Sequence, residues 1–337
     1  MKRVLVTHAD EPIGRRVVKT LFHDPEVGHI LAVGDGPSPR GFDRFLGGAQ
    51  PRLAYARADI ARHRPVADLF RSPRFREAEI DSVVHVPRHG AAAATSAPLV
   101  AGVAERTAEA RLVLQHSLEA TGVLSFVAIG SAFVYRLPPG NANRLDEESE
   151  LDLDPDVAPE ARSWIDCDMI FHGELHNDRL RVVLLRVPTV VAEGGFVYLH
   201  PLLAGRPGAR LRRLGYDPIC ALVSDKDVAR AVQSAVHTRH PGIYNVAGNE
   251  ALPLSILARW TGRASLPVPG ALLGLADRAS RLLGREALPG AADAARLRFG
   301  FTLDTRRAER ELGFRPINRI GLARAGDGSL RLETASL

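Results

Sequence analysis

Short β-branched runs recur through the first half of the chain, and most are followed by a turn and a stretch of helical apolar spacing. The runs at 2–7, 30–33, 53–58, 82–86, 125–129 and 181–185 read as strands. Several, such as Val4-Leu5-Val6 and Val83-Val84, are apolar without alternation, which suits strands covered on both faces. Helical patterns fall at 15–23, 65–71, 98–121 and 160–176, the third rich in alanine. Pro and Gly break up 37–51, and Pro, Asn, Asp and Glu crowd 137–159, so both are expected as loops, the first with a broken helix. Strand and helix alternate regularly, which predicts an α/β chain with a doubly wound parallel sheet.

Beyond residue 190 the regularity fades. Short strands near 196–199, 210–213 and 242–246 mix with helices near 226–237, 252–262, 268–284 and 304–312. The pattern predicts a core over 1–190, to which 221–247 returns, a smaller C-terminal α/β lobe over 191–320, and a tail over 321–337. The segment 271–288 carries Arg278, Arg281 and Arg285 among helically spaced apolar residues. That spacing would also suit an anionic lipid surface, although packing on the lobe is the preferred expectation.

Composition changes this picture little. The chain has 337 residues, 45% hydrophobic and 25% charged, which is ordinary globular usage. Its net charge of +5 comes mainly from arginines scattered through every segment, with no basic tail, so no nucleic-acid partner is expected. Two distant cysteines, Cys167 and Cys220, suggest neither a disulfide framework nor a zinc site. A strand-like run begins at residue 2 and leaves no room for a signal peptide. The expectation is a soluble cytoplasmic protein.

Several segments in order carry a resemblance. Val223-Ser224-Asp225-Lys226-Asp227-Val228-Ala229, Gly242-Ile243-Tyr244-Asn245-Val246-Ala247-Gly248 and Leu312-Gly313-Phe314-Arg315-Pro316 resemble landmarks of the extended short-chain dehydrogenase/reductase family, which includes nucleotide-sugar epimerases and dehydratases. The resemblance runs from Met1 to about Pro316. It implies a Rossmann-type fold, NAD as the cofactor if any is held, and a homodimer formed through the helices at 98–121 and 160–176.

The family's T-G-x-x-G-x-x-G turn is matched by Thr7-His8-Ala9-Asp10-Glu11-Pro12-Ile13-Gly14, where only Thr7 and the last glycine survive. His8 stands at the tight turn and Glu11 at the second glycine, where the backbone should approach a pyrophosphate. Two like charges 4 Å apart repel by roughly 4 kcal/mol at an effective dielectric near 20, which is about three orders of magnitude in affinity. Replacing both residues by glycine is therefore expected to improve dinucleotide affinity. The rest of a cleft remains by resemblance: Asp35 at the ribose position, Asp59 and Ile60 at the adenine side, and His85 along the cofactor, followed by Pro87-Arg88 in place of alanines.

The catalytic line has changed more. Gly130-Ser131-Ala132-Phe133-Val134-Tyr135 keeps Ser131 at the position that contacts the substrate oxygen. The Y-x-x-x-K pair is matched by Trp164-Ile165-Asp166-Cys167-Asp168, and no tyrosine lies between Tyr135 and Tyr198. An indole does not exchange a proton, and a carboxylate reverses the charge that would lower a phenol's pKa. His172 and His176, four apart, lack the H-E-x-x-H pattern, and no metal is expected. The leading expectation is a non-catalytic binding or scaffold protein with no or weak cofactor binding and an unidentified small-molecule or protein partner. The alternative is an atypical NAD(P)-dependent oxidoreductase or nucleotide-sugar epimerase/dehydratase.

Overall fold

The computed structural model describes all residues except 48–50, 89–98, 138–142, 156, 158, 193–194, 199–209, 261–264, 270–271, 273–299, 325–329 and 337. The first strand, β1 (Lys2–Val6), leads through a short turn into α1 (Pro12–Phe22) and then β2 (Val27–Gly34). A 3-10 turn and α2 (Asp43–Leu46) precede β3 (Leu53–Arg57), and α3 (His63–Arg71) and α4 (Pro73–Glu77) lead into β4 (Ser82–His85). α5 (Leu99–Glu119), β5 (Ser125–Ser131), the two-residue β6 (Arg144–Leu145), α6 (Pro159–His172) and β7 (Arg181–Val187) follow.

Seven strands form one parallel sheet. β12 (Gly242–Asn245) completes it beside β7, in the order β12-β7-β5-β4-β1-β2-β3. Successive residues point to opposite faces, so each strand feeds two cores. Val4, Val6, Ile30, Ala32, Val127 and Val183 meet α1 and a later helix, α7 (Asp225–His237). Leu5, Leu31, Val33, Phe126, Val182 and Leu184 meet α3 to α6. All seven residues of β5 are buried, as its unalternating sequence predicts for a central strand.

Local chemistry fixes the helix ends. Pro12 opens α1, where its missing N–H costs nothing. At Gly14 a side chain would overlap the His8 carbonyl oxygen, so this helix reaches the strand only through a glycine. Arg179 closes the far end of α5 by donating to the carbonyls of Ser117, Leu118, Ala120 and Val123, a basic group meeting the negative end of the helix.

After β7 the chain passes through Pro188 into β8 (Thr189–Ala192), which with β9 (Gly195–Tyr198), β11 (Ile219–Ser224) and β13 (Ala251–Pro253) builds a second, four-stranded sheet. β10 (Arg210–Arg213) pairs in parallel with β14 (Ser265–Val268), and α8 (Leu254–Trp260) packs on the second sheet through Leu254 and Leu257. The chain re-enters the core at Asp225: α7 packs on α1, with Arg16 donating to Asp225 at 2.9 Å, and β12 extends the main sheet. Residues 221–224, expected in the core, belong to β11 and the second sheet.

β15 (Thr302–Leu303), paired with β6, precedes α9 (Arg306–Leu312). The stretch 321–337, expected as a tail, belongs largely to an antiparallel hairpin of β16 (Asn318–Arg324) and β17 (Leu330–Ser336). Asp227, fully buried at the start of α7, accepts from the backbone N–H groups of Ile317 and Asn318 and from Asn318 Nδ2, and so ties the hairpin's first strand to the core. The helix expected over 268–284 falls almost wholly outside the described residues, as does the lipid-facing alternative for 271–288. Among the described residues no helix is long and apolar enough to cross a membrane.

Candidate functional site

Strand order reverses between β1 and β4: β2 and β3 lie to one side of β1, and β4, β5, β7 and β12 to the other. In open α/β sheets the crevice beyond the C-terminal ends of the strands at such a point is where ligands bind. The residues at the ends of β1, β2 and β4 therefore define the candidate site.

At the end of β1, Thr7 accepts from the Val86 N–H at 2.9 Å and donates to the Val86 carbonyl at 3.0 Å, joining β1 to β4 through a side chain. His85 lies beside it, with Nδ1 3.3 Å from Thr7 Oγ1 and the ring against Phe126 and Phe171. Burial pushes this imidazole down to about 4, so it stays neutral inside the sheet. Neither side chain reaches into the crevice as a free donor.

His8 takes a left-handed backbone conformation, φ 45°, at the tight turn where the family pattern has glycine. A non-glycine residue there costs roughly 1–2 kcal/mol. The side chain there is held by a buried contact: His8 Nε2 lies 3.0 Å from Glu109 Oε2, and both side chains are almost wholly enclosed. Burial alone would raise the Glu109 carboxyl, but contacts with His8 and Arg88 outweigh it and hold the group below the usual carboxylate range.

Arg88 carries the network across the crevice. Starting three residues beyond β4, its Nε donates to Glu109 Oε1 at 2.9 Å, and it pairs with Asp35 at the end of β2, with Glu105 3.8 Å away. Reaching β2 from β4 means crossing the end of β1. Asp35, the expected ribose-holding acid, is thus occupied by the protein's own guanidinium.

Asp10 and Glu11 divide the remaining space. Asp10 Oδ2 accepts from the Gly36 N–H at 2.9 Å, while Asp10 Oδ1 and Asp35 Oδ1 are buried without a partner among the described residues. A side chain at Gly34 would overlap both Asp10 and the Tyr55 hydroxyl, which donates to the Gly36 carbonyl. Glu11 is the N-cap residue of α1 but makes no side-chain cap, and its carboxyl is raised by burial first, with Asp10 adding to it. Asp59 accepts from the Ala61 N–H at the surface, and Ile60 is buried in the core.

The substrate end is also closed. Ser131 Oγ accepts from the Phe133 N–H at 3.1 Å and caps the short turn after β5. Trp164 is buried, with the Arg106 guanidinium 4.2 Å from its ring centroid; Arg106 in turn pairs with Glu160 at 3.0 Å and contacts Ser163. Asp168 is fully buried and accepts from both Nε and Nη2 of Arg186 at 2.8 Å. Arg186 also donates to the Tyr135 hydroxyl at 3.0 Å, which donates to Asn245 Oδ1 at 2.7 Å. Burial pushes the Tyr135 phenol up to about 12, against the lowering effect of Arg186.

The structure thus places Thr7, His8, Asp35 and Glu11 around one crevice, and Asp168 in a separate ion pair. α6 ends at His172, so His176 falls in the following turn and the two share no helical face. Sequence reasoning noted Arg88 only as a replacement for an alanine, without its partners, and missed Glu109 and Arg106. The charges at Arg106 and Glu109 were visible, but Glu105, Arg111 and Glu119 on the same alanine-rich helix gave no sign of which were buried.

No family model matches this chain. It is 26% identical over 331 residues to an uncharacterised protein of Mycobacterium tuberculosis, covering 94% of this chain and 80% of that one, and equally to one of Mycobacterium bovis. Among solved structures it resembles a dTDP-glucose 4,6-dehydratase of Streptomyces venezuelae with NAD bound, at a TM-score of 0.61 and 20% identity over 97% of this chain and 94% of that one. It also resembles a UDP-glucose 4-epimerase of Thermotoga maritima with UDP-glucose, at 0.62 and 15% identity over 93% of each. A UDP-glucuronic acid 4-epimerase of Bacillus cereus, in complex with UDP-glucuronic acid and NAD, gives 0.61 and 16% over 94% of each. The chain has the Rossmann-type α/β fold of these sugar-nucleotide dehydratases and epimerases.

Proposed function

We propose that this chain is a binding or scaffold protein built on the epimerase/dehydratase fold, without the tyrosine–lysine chemistry and without tight dinucleotide binding. One observation carries the reading: Arg88 spans the crevice from the end of β4 to Asp35 and Glu109. A pyrophosphate placed there would meet the carboxylates of Asp10, Glu11, Asp35 and Glu109, with the Arg88 guanidinium already engaged by two of them. The residues present do not fit a dinucleotide. The buried Asp168–Arg186 pair supports the chemical half, because the position that would steady a phenolate is spent on a second charge.

A second reading is an NAD-dependent oxidoreductase or epimerase/dehydratase, and the company the fold keeps favours it. The dehydratase of Streptomyces venezuelae and the epimerase of Bacillus cereus hold NAD, and both match nearly the whole of this chain. In that reading Arg88 releases Asp35 to the ribose, and Ser131 with water moves the proton.

Calorimetric titration of the pure protein with NAD(H) and NADP(H) separates the two. The expected result is no saturable binding tighter than about 1 mM. A low-micromolar Kd, or a dinucleotide that co-purifies, selects the second reading.

A further inference from the structure

We infer that Arg88 is a tethered occupant of the crevice, an autoinhibitory contact, and that its carboxylate partners would accept a guanidinium or ammonium group in its place rather than a pyrophosphate. The inference rests on the binding-protein reading above and adds the charge class of the ligand.

The geometry is that of a receptor holding a cation. Arg88 is engaged by Glu109 on one side and Asp35 on the other, with Glu105 at its rim. Glu109 is wholly enclosed and its second oxygen is taken by His8, so the carboxylate is fixed in orientation before any ligand arrives. A fixed carboxylate in a low-dielectric pocket binds a guanidinium better than a flexible surface one. Two further acceptors, Asp10 Oδ1 and Asp35 Oδ1, are buried and unpartnered among the described residues. Buried acceptors left unpaired destabilise the closed state and are satisfied by N–H or O–H donors, whereas phosphate oxygens would add more acceptors. Arg88 answers Glu109 and Asp35 with donors of its own and leaves those two oxygens open. A free guanidinium has the same five N–H donors but no backbone tether to fix how they are aimed.

Chemical rescue tests this. In Arg88→Ala the pocket loses its occupant, and the melting temperature is expected to fall by several degrees. Methylguanidinium at about 10 mM, the scale of a tethered group's effective concentration, should restore part of that loss in the variant and leave the unaltered protein unchanged. NAD should shift neither. Arg88→Lys, which keeps a cation, should retain most of the stability and respond little to methylguanidinium. If Arg88→Ala does not fold unaided, recovery of its folded signal on adding methylguanidinium, and the melting temperature of Arg88→Lys against the unaltered protein, carry the test. No rescue by methylguanidinium, a fall for Arg88→Lys as large as for Arg88→Ala, or a rise with NAD in Arg88→Ala would each overturn the inference. Failure here leaves the NAD titration of the unaltered protein as the separate test of the binding-protein reading.

Discussion

Asp168 and Arg186 form a buried bidentate ion pair between α6 and β7, at the place where the related pattern puts a lysine to steady a phenol. The charge at 168 is reversed and the arginine at 186 answers it, so the pair is neutral within the core. The two residues constrain each other, and this changes what substitutions can restore.

Removing one partner should be costly. Asp168→Asn leaves the Arg186 guanidinium buried without a counter-charge, a loss of about 3–5 kcal/mol. Urea unfolding measures it. A drop within about 1 kcal/mol would mean that water reaches the site and the pair is not as enclosed as its geometry indicates.

The same pair predicts that rebuilding the enzyme motif fails. Trp164→Tyr with Asp168→Lys would place an ammonium against the Arg186 guanidinium and exchange the indole that faces Arg106 for a smaller ring. The expected outcome is an unfolded or strongly destabilised protein by circular dichroism, with no gain in turnover. A folded double variant that reduces a keto-sugar would sink this account.

In the phosphate turn, His8→Gly with Glu11→Gly removes a strained residue and one carboxylate but leaves Arg88 bridging Asp35 and Glu109. From the turn alone, this change should improve dinucleotide affinity. With the bridge in view, the expected gain in a calorimetric titration is less than tenfold. A larger gain would locate the block in the turn after all.

Turnover of the unaltered protein follows from the same chemistry. Loss of a positioned proton donor typically costs about 10²–10⁴-fold, and Trp164 and Asp168 stand where the tyrosine and lysine would supply it. No oxidation or reduction of nucleotide sugars should be detectable as nicotinamide absorbance. Ordinary rates abolished by Ser131→Ala would identify the chain as an enzyme.

Stability should fall in mild acid. The His85 imidazole titrates at about 4 in the fold against an ordinary 6.5. Above 6.5 it is neutral folded and unfolded and contributes no pH dependence. As pH falls from 6.5 to 4 only the unfolded chain takes up the proton, which favours unfolding by up to about 1.4 kcal/mol per pH unit. Urea unfolding at pH 7 and pH 5 should show a smaller loss for His85→Gln than for the unaltered protein. Equal losses would remove His85 as the cause.

The sheet was legible in the sequence because its strands are local: β-branched runs such as Val83-Val84 announce burial on both faces without knowledge of the neighbours. Asp35, His8 and Glu11 were legible as occupants of a turn and a strand end. Their partners were not. His8 meets Glu109 a hundred residues away, and Arg88 meets Asp35 across the end of β1, so no spacing rule connects them. Asp168 stood out by itself, but its pairing with Arg186 depends on how α6 lies on β7. The β16–β17 hairpin did leave a signal, the alternation Leu330-Arg331-Leu332-Glu333, outweighed by the glycines and charges before it.

The hold of Asp227 on Ile317 and Asn318 bears on how the chain is made. During synthesis the seven-stranded sheet has all its strands once Asn245 has left the ribosome, yet the carboxylate at the start of α7 then has only Ser224 and Arg230 beside it and still lacks the three N–H donors of Ile317 and Asn318. A nascent chain paused between these points carries a finished sheet with an open polar wound in its side. It is the stage at which a chaperone or a protease would find this protein most easily, and release of β16 is what closes it.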